Sequence, residues 1–431
     1  TELAREALEL ARRDGGIDTA EHCEILLALG EAQRRAGRGA ETRETFRLAA
    51  DIARRIAARD LFARAVLGFG MGAGGVGYLS GSDLALLSLL EEALRVLGDE
   101  RSVLRALVMA RLAVELYYTT EKERRTELAR EALELARSFG DRRAQIVALY
   151  SQDCIRAGPD SEPADRLQVA RELITLADEA GDLELAFRAR HLHLAASLEV
   201  GDIQAVDFEI DACAQLATDL RQPLYAWQVA VFRAMRSLLA GDSKAAARLA
   251  MEARALGAKA EDRLHEEFFG AQLSSILWLE GRLAEIEAQV RGFAERDPWV
   301  PAWRASLAYL YSELGRETEA RIEFDTAAAM GFTKLRRDAT WLDAMLHLSL
   351  ACAFLRDETR AKELLALVAP YGERYVVVTS GLQCFGSAAL MLGVLHATLR
   401  QWDEAERHFE AAFDRNARMG AKPFAALTLL H

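Results

Sequence analysis

TELAREALELAR stands at Thr1–Arg12 and recurs, identical at every position, at Thr126–Arg137. The two copies are 125 residues apart, which is about three units of roughly 42 residues each. An offset of that kind marks an array of repeats. Gly-Asp and Gly-Arg pairs then punctuate the chain at Gly181-Asp182, Gly201-Asp202, Gly241-Asp242, Gly281-Arg282 and Gly315-Arg316. The gaps between the last four pairs are 40, 40 and 34 residues. Helix–turn–helix repeats have periods in this range.

One unit shows the physics. Met235, Leu238 and Leu239 close a helix, and Gly241 can take the left-handed conformation that ends it. Asp242 or Ser243 can cap the next helix. Ala246, Leu249, Ala250, Ala253 and Leu256 follow at three- and four-residue spacing, which makes one apolar stripe. The same pattern recurs at 279–294, 310–329 and 399–412. Each hairpin leaves an apolar face that only a neighbouring hairpin can bury. The expected fold is all-α: a tetratricopeptide-like, right-handed superhelical solenoid running continuously over residues 1–431. Roughly 20 helices and no substantial sheet are expected at about 20 residues per helix. GPDSEP at Gly158–Pro163 reads as a loop that can serve as a hinge.

Composition agrees. Hydrophobic residues make up 51% of the chain and charged residues 28%, as in a protein with a large buried core. Only 7 prolines interrupt it. The net charge of −12 argues against non-specific nucleic-acid binding, which needs phosphate neutralisation. Six lysines stand beside 48 arginines, a usage read as that of a GC-rich bacterial genome. The five cysteines are far apart, form no C-x-x-C pair and are odd in number. They read as buried free thiols in a reducing cytoplasm. The uncharged stretch Tyr375–Leu399 has only a short strongly apolar part, Ser387–Leu399, below the roughly 20 residues of a membrane span. A buried solenoid helix is expected there, and no membrane contact. Thr1 opens inside a helical pattern without a cap before it, so the chain reads as part of a longer protein.

The motifs that carry chemistry are weak. Gly68–Gly81 holds seven glycines in 14 residues, but no Gly-Lys-Ser/Thr follows and no βαβ unit surrounds it. His265-Glu266-Glu267 lacks the second His of a zinc-protease helix, since Phe269 stands there. His191 and His193 fall on different helix faces. No catalytic, cofactor-binding or metal-ligating residue is assigned, and no cofactor is expected. Aromatics and arginines do cluster, and a concave patch of them can anchor a partner. The candidate partner-binding residues are Trp299, Trp303, Arg336, Arg337, Trp341 and Tyr371.

RALVMARLAVEL at Arg105–Leu116, Trp299–Leu307 with Pro301, Trp303 and Arg304, and Arg337-Asp338-x-x-Trp341-Leu342 form an ordered series. Ala369-Pro370-Tyr371, Trp402–Ala412 and Met419–Pro423 continue it. In this order they resemble the tetratricopeptide (MalT-like) helical region of large bacterial signalling ATPases. LuxR-type transcriptional regulators and AAA-linked class III adenylate cyclases belong to that group. The resemblance covers the chain from about residue 61 onward. It implies a non-catalytic, cytoplasmic regulatory arm. Its partner would be a protein or peptide, the attached ATPase or output domain of the parent, or a small effector. A passive interaction or oligomerisation scaffold is the second reading. An enzyme built on a helical solenoid is the third, and it requires a convergent polar pocket with perturbed pKa values.

Overall fold

The computed structural model describes residues 18–70, 83–261, 264–298 and 300–431. The first TELAREALELAR copy, residues 71–81 of the glycine-rich stretch and Trp299 lie outside the described residues.

Among the described residues, 21 α-helices follow one another. They are α1 (Ala20–Arg35), α2 (Gly39–Arg55), α3 (Arg59–Phe69), α4 (Leu84–Leu97), α5 (Val103–Glu115), α6 (Lys122–Phe139) and α7 (Arg142–Arg156). Next come α8 (Pro163–Ala180), α9 (Leu183–Val200), α10 (Ile203–Leu220), α11 (Pro223–Leu239), α12 (Ser243–Lys259), α13 (His265–Leu279) and α14 (Glu287–Arg296). The series ends with α15 (Pro301–Glu313), α16 (Glu317–Ala329), α17 (Trp341–Leu355), α18 (Glu358–Val368), α19 (Ala389–Thr398), α20 (Trp402–Met419) and α21 (Lys422–Leu430). The second TELAREALELAR copy forms the body of α6.

Helices consecutive in sequence pack on one another along the chain, except that α13 and α14 meet through the short 3-10 turn Leu283–Ile286. Most odd-numbered helices also meet the next odd one, as α1 meets α3, α5 meets α7, α15 meets α17 and α17 meets α19. That ladder is the signature of a stacked helix–turn–helix solenoid, with the odd helices as its inner row. The residues explain the division. α17, WLDAMLHLSLACAFL, has no Lys or Arg and buries twelve side chains. α20, WDEAERHFEAAFDRNARM, buries only Ala405, Ala412, Asn416 and Met419. Helices apolar all round go inside and amphipathic ones cover them.

The turns follow the expected chemistry. Gly241 sits at φ 85°, where a Cβ is disfavoured. The Asp242 carboxylate accepts from the Ala245 amide at 2.9 Å, capping α12. Asp141, Asp182 and Asp202 cap α7, α9 and α10 in the same way. Such a cap is worth about 1 kcal/mol.

One element departs from the helical grammar. β1 (Tyr375–Val378) pairs antiparallel with β2 (Gln383–Ser387). A buried solenoid helix is expected over Tyr375–Leu399, and its first half forms strands instead. The run Val376-Val377-Val378 is β-branched and stiff at χ1, which favours a strand. Gly381 and Gly386, both at positive φ, allow the reversal and the return. β1 touches the inner-row helices α9 and α17, and β2 touches α11, α20 and α21. α19 follows as the buried helix expected from Ser387–Leu399.

Two seams join units far apart in sequence. Arg34 at the end of α1 pairs with Glu184 at the start of α9 (2.9 Å), and the Ala40 amide donates to Glu261 Oε2 (2.8 Å). At the second seam, Tyr117 Oη donates to the Ala157 carbonyl (2.6 Å) and accepts from the Ala339 amide (2.9 Å). The Gly158–Pro163 loop belongs to this seam. Asp160 pairs with Arg337 at 2.6 Å, and Arg374 donates to Pro159 O and Glu162, each at 3.1 Å.

Candidate functional site

The pocket that best combines apolar walls with buried polar groups lies on the inner face, between α13, α14, α15, α17 and the hairpin. Its cavity is about 70 Å³. One water needs roughly 10–15 Å³ of such space, so the cavity has room for several waters or a small molecule. Trp278, Trp303, Tyr309 and Phe385 supply aromatic walls. Ser306, Thr340, Asp343, His347 and Gln383 supply the polar ones.

Each polar group is placed by its element. Asp343 and His347 stand four residues apart on α17, hence on one face. Ser306 and Tyr309 come from α15, which Pro301 starts at its first turn. Gln383 opens β2, and its Nε2 donates to Ala271 O at 2.5 Å. It also meets Ser275 Oγ, so the hairpin is anchored to α13. The rings interlock: Tyr309 stacks on His347 (5.3 Å), and Phe385 meets His347 edge-on (5.5 Å).

The electrostatics are those of a dry site. Burial pushes the Asp343 carboxyl up to about 8 and the His347 imidazole down to about 4. Among the described residues no Lys or Arg lines the pocket, so at neutral pH both groups are held uncharged. His347 Nδ1 lies 3.2 Å from Asp343 Oδ1 and 3.3 Å from Ser306 Oγ. Asp343 Oδ1 nevertheless makes no properly oriented hydrogen bond among the described residues, and neither does the Trp303 indole N–H. Buried polar groups without partners are costly and point to a ligand or to water.

A hydroxyl, an imidazole and a carboxyl thus converge, as nucleophilic catalysis would require. The geometry is wrong for a relay. Ser306 and Asp343 both approach the same ring nitrogen, Nδ1, whereas a relay takes the nucleophile on one nitrogen and the orienting acid on the other. The arrangement suits hydrogen bonding to a ligand.

The sequence-derived candidates divide. Trp303 is buried, stacks on Phe293 (4.6 Å) and lines this pocket. Arg336, Arg337, Trp341 and Tyr371 gather at the second seam. Arg336 donates to Asp338 (2.7 Å) and to Tyr118 O (3.2 Å). The Arg337 guanidinium lies 4.4 Å from the Trp341 ring centroid and hydrogen-bonds Tyr371 Oη. Both aromatics are buried, so these four side chains hold the molecule to itself. Asp343, His347, Ser306 and Gln383 were not singled out in the sequence. One signal was readable: Asp343 and His347 are polar interruptions, one turn apart, in the otherwise apolar WLDAMLHLSL.

All five cysteines are free and buried. Burial pushes Cys154, Cys352 and Cys384 each up to about 12, so these thiols are inert at neutral pH. No helix among the described residues is long and apolar enough to cross a membrane.

No family model matches the chain, and no curated protein matches it. Among solved structures, the chain is similar to a Rap protein crystallised with competence and sporulation factor. That match has 11% identity and a TM-score of 0.44, and covers 94% of this chain and 100% of that one. It is also similar to the Cut9-Hcn1 hetero-tetramer of APC/C, at 14% identity and TM-score 0.41, covering 100% of this chain and 77% of that one. A circular tandem repeat protein aligns at 16% identity with a TM-score of 0.15. With these scores below 0.5, the fold is assigned from the helix ladder itself.

Proposed function

We propose that this chain is the non-catalytic sensor arm of a larger bacterial signalling ATPase or transcriptional regulator, and that a small effector binds in the inner pocket. The observation that carries the reading is the buried Asp343 carboxyl. Among the described residues it sits in an aromatic cavity with no Lys or Arg in its lining, and its Oδ1 makes no oriented hydrogen bond. A cavity lined by aromatic rings with a few polar groups is the usual form of a small-molecule site. The absence of lining charge at neutral pH favours an uncharged, polar effector.

The pocket also connects to the second seam. Thr340 lines the pocket, and its backbone N–H and hydroxyl donate to Asp338 Oδ1 at 2.8 and 2.7 Å. Asp338 in turn holds Arg336, which reaches Tyr118 O. A ligand that shifts the first turn of α17 therefore pulls on the second seam. Coupling requires such differential contacts between two states.

The test is a thermal-shift screen of small uncharged polar compounds on wild type and on Asp343→Leu. A compound that stabilises wild type and loses its shift in the variant supports the reading. A screen without hits, or hits indifferent to Asp343, would sink it. For the regulatory part, the parent protein carrying Asp343→Leu is expected to lose effector control of its ATPase or DNA binding. Unchanged control would refute that part alone.

A further inference from the structure

We propose that His396, Glu404 and His408 form a divalent transition-metal site that clamps α19 to α20. Each offers one ligand atom, and these atoms lie within 4.8 Å of one another. The inference is independent of the inner pocket.

The local fold brings the three together. His396 lies in the last turn of α19, and only residues 399–401 separate that helix from α20. The end of one helix is thus set beside the start of the next. Glu404 and His408 stand four residues apart on α20, hence on one face. All three side chains are half-buried, so an ion can reach them from solvent and keep water on its open positions.

The donor set selects the metal. Two imidazoles and one carboxylate suit Zn²⁺, Co²⁺ or Ni²⁺ rather than Ca²⁺ or Mg²⁺, which take oxygen donors. Three protein ligands with an open fourth position is a known zinc arrangement. A further residue prepares the site. His396 Nδ1 lies 2.6 Å from Gln401 Oε1; with Nδ1 as the donor of that bond, Nε2 keeps its lone pair for a metal. A hydrogen bond of this kind to the distal nitrogen orients metal-binding imidazoles generally.

Binding an ion requires the cluster to tighten. The His396 and His408 rings are parallel, 5.2 Å between centroids and 11° between planes. A rotation of the half-exposed His408 ring turns its lone pair toward His396. Glu404 now pairs with Arg407, whose side chain is 68% exposed. An exposed pair of this kind is weak, and a metal can displace it.

The experiment is a titration of the untagged chain with Co²⁺ as probe, followed by its visible absorption, with Zn²⁺ as competitor. Wild type is expected to bind one Co²⁺, to lose it to Zn²⁺, and to melt several degrees higher with Zn²⁺. His396→Ala and His408→Ala are each expected to weaken binding at least tenfold, and Glu404→Gln to weaken it measurably. His265→Ala, far from the cluster, is expected to bind as wild type. Circular dichroism confirms that each variant is folded. Failure of wild type to bind Co²⁺ at millimolar concentration, or equal binding by His396→Ala/His408→Ala, would overturn the proposal.

Discussion

Asp343 shows how one residue can govern a pH response. Its carboxyl is pushed up to about 8 by burial, so the folded state binds a proton that the unfolded chain releases above about pH 4. That alone makes stability fall as pH rises from about 4 to about 8. His347 acts oppositely. With its folded pKa near 4 against 6.5 unfolded, it makes stability rise over about pH 4 to 6.5. The two cancel in the lower window and leave a fall between about pH 6.5 and 8. At about 1.4 kcal/mol per pH unit, that fall is roughly 2 kcal/mol. Asp343→Asn is expected to lose it, which urea denaturation at pH 6.5 and pH 8 checks. The groups facing Asp343 from the packed elements are His347, Tyr309, Ser306 and Gln383, none of them charged at neutral pH. A variant with the wild-type slope would show that the carboxyl is already ionised in the fold.

At the scale of elements, the helices were legible and the hairpin was not. Glycine–aspartate punctuation and three- and four-residue spacing are local signals, and they recur wherever a helix ends and the next begins. The caps at Asp182, Asp202 and Asp242 stand where those signals put them. The hairpin has no turn signal of the Asn-Gly kind, and its strands are buried on both faces, so no polar alternation marks them. Its place depends on close approach. Gly386 has φ 76°, and a Cβ there would lie 2.5 Å from Asn416 Oδ1 and 2.7 Å from Phe424 Cβ. Gly386→Val is therefore expected to destabilise the chain by more than about 1 kcal/mol. It should also loosen the packing of Phe385 against Trp278, read as a shift in tryptophan emission. Stability equal to wild type would mean that β2 is not held in this register.

At the scale of the whole molecule, the solenoid is stitched to itself. Tyr117 alone links three segments through one hydroxyl, which is fully buried and whose pKa burial raises. Tyr117→Phe leaves the Ala157 carbonyl and the Ala339 amide without this partner. A buried polar group so orphaned costs about 1–3 kcal/mol. The expected outcome is that loss of stability, together with faster amide exchange at residues 336–340, measured by hydrogen exchange. Faster exchange confined to the 117 region would place the seam elsewhere. The buried cluster of Arg166 with Asp153 (3.2 Å) and Glu199 lies near the same seam. Removing one member of such a cluster strands the others, at about 3–5 kcal/mol.

The sequence by itself determined that this chain is a stack of helical hairpins, because helix period, caps and terminating glycines act within a few residues of chain. It also indicated one helix that goes inside, since a segment apolar all round, such as 387–399, has no face for water. It did not determine what the inner row encloses. The pocket draws Trp303, Asp343, His347 and Gln383 from three elements, and Arg336 meets Tyr118 across 218 residues. Only the accumulated rotation of many stacked units brings such residues together, and no local pattern records it. The candidate partner residues show the same division. Their aromatic and cationic character was plain in the sequence, but packing turned four of them into a seam and left Trp303 at the pocket.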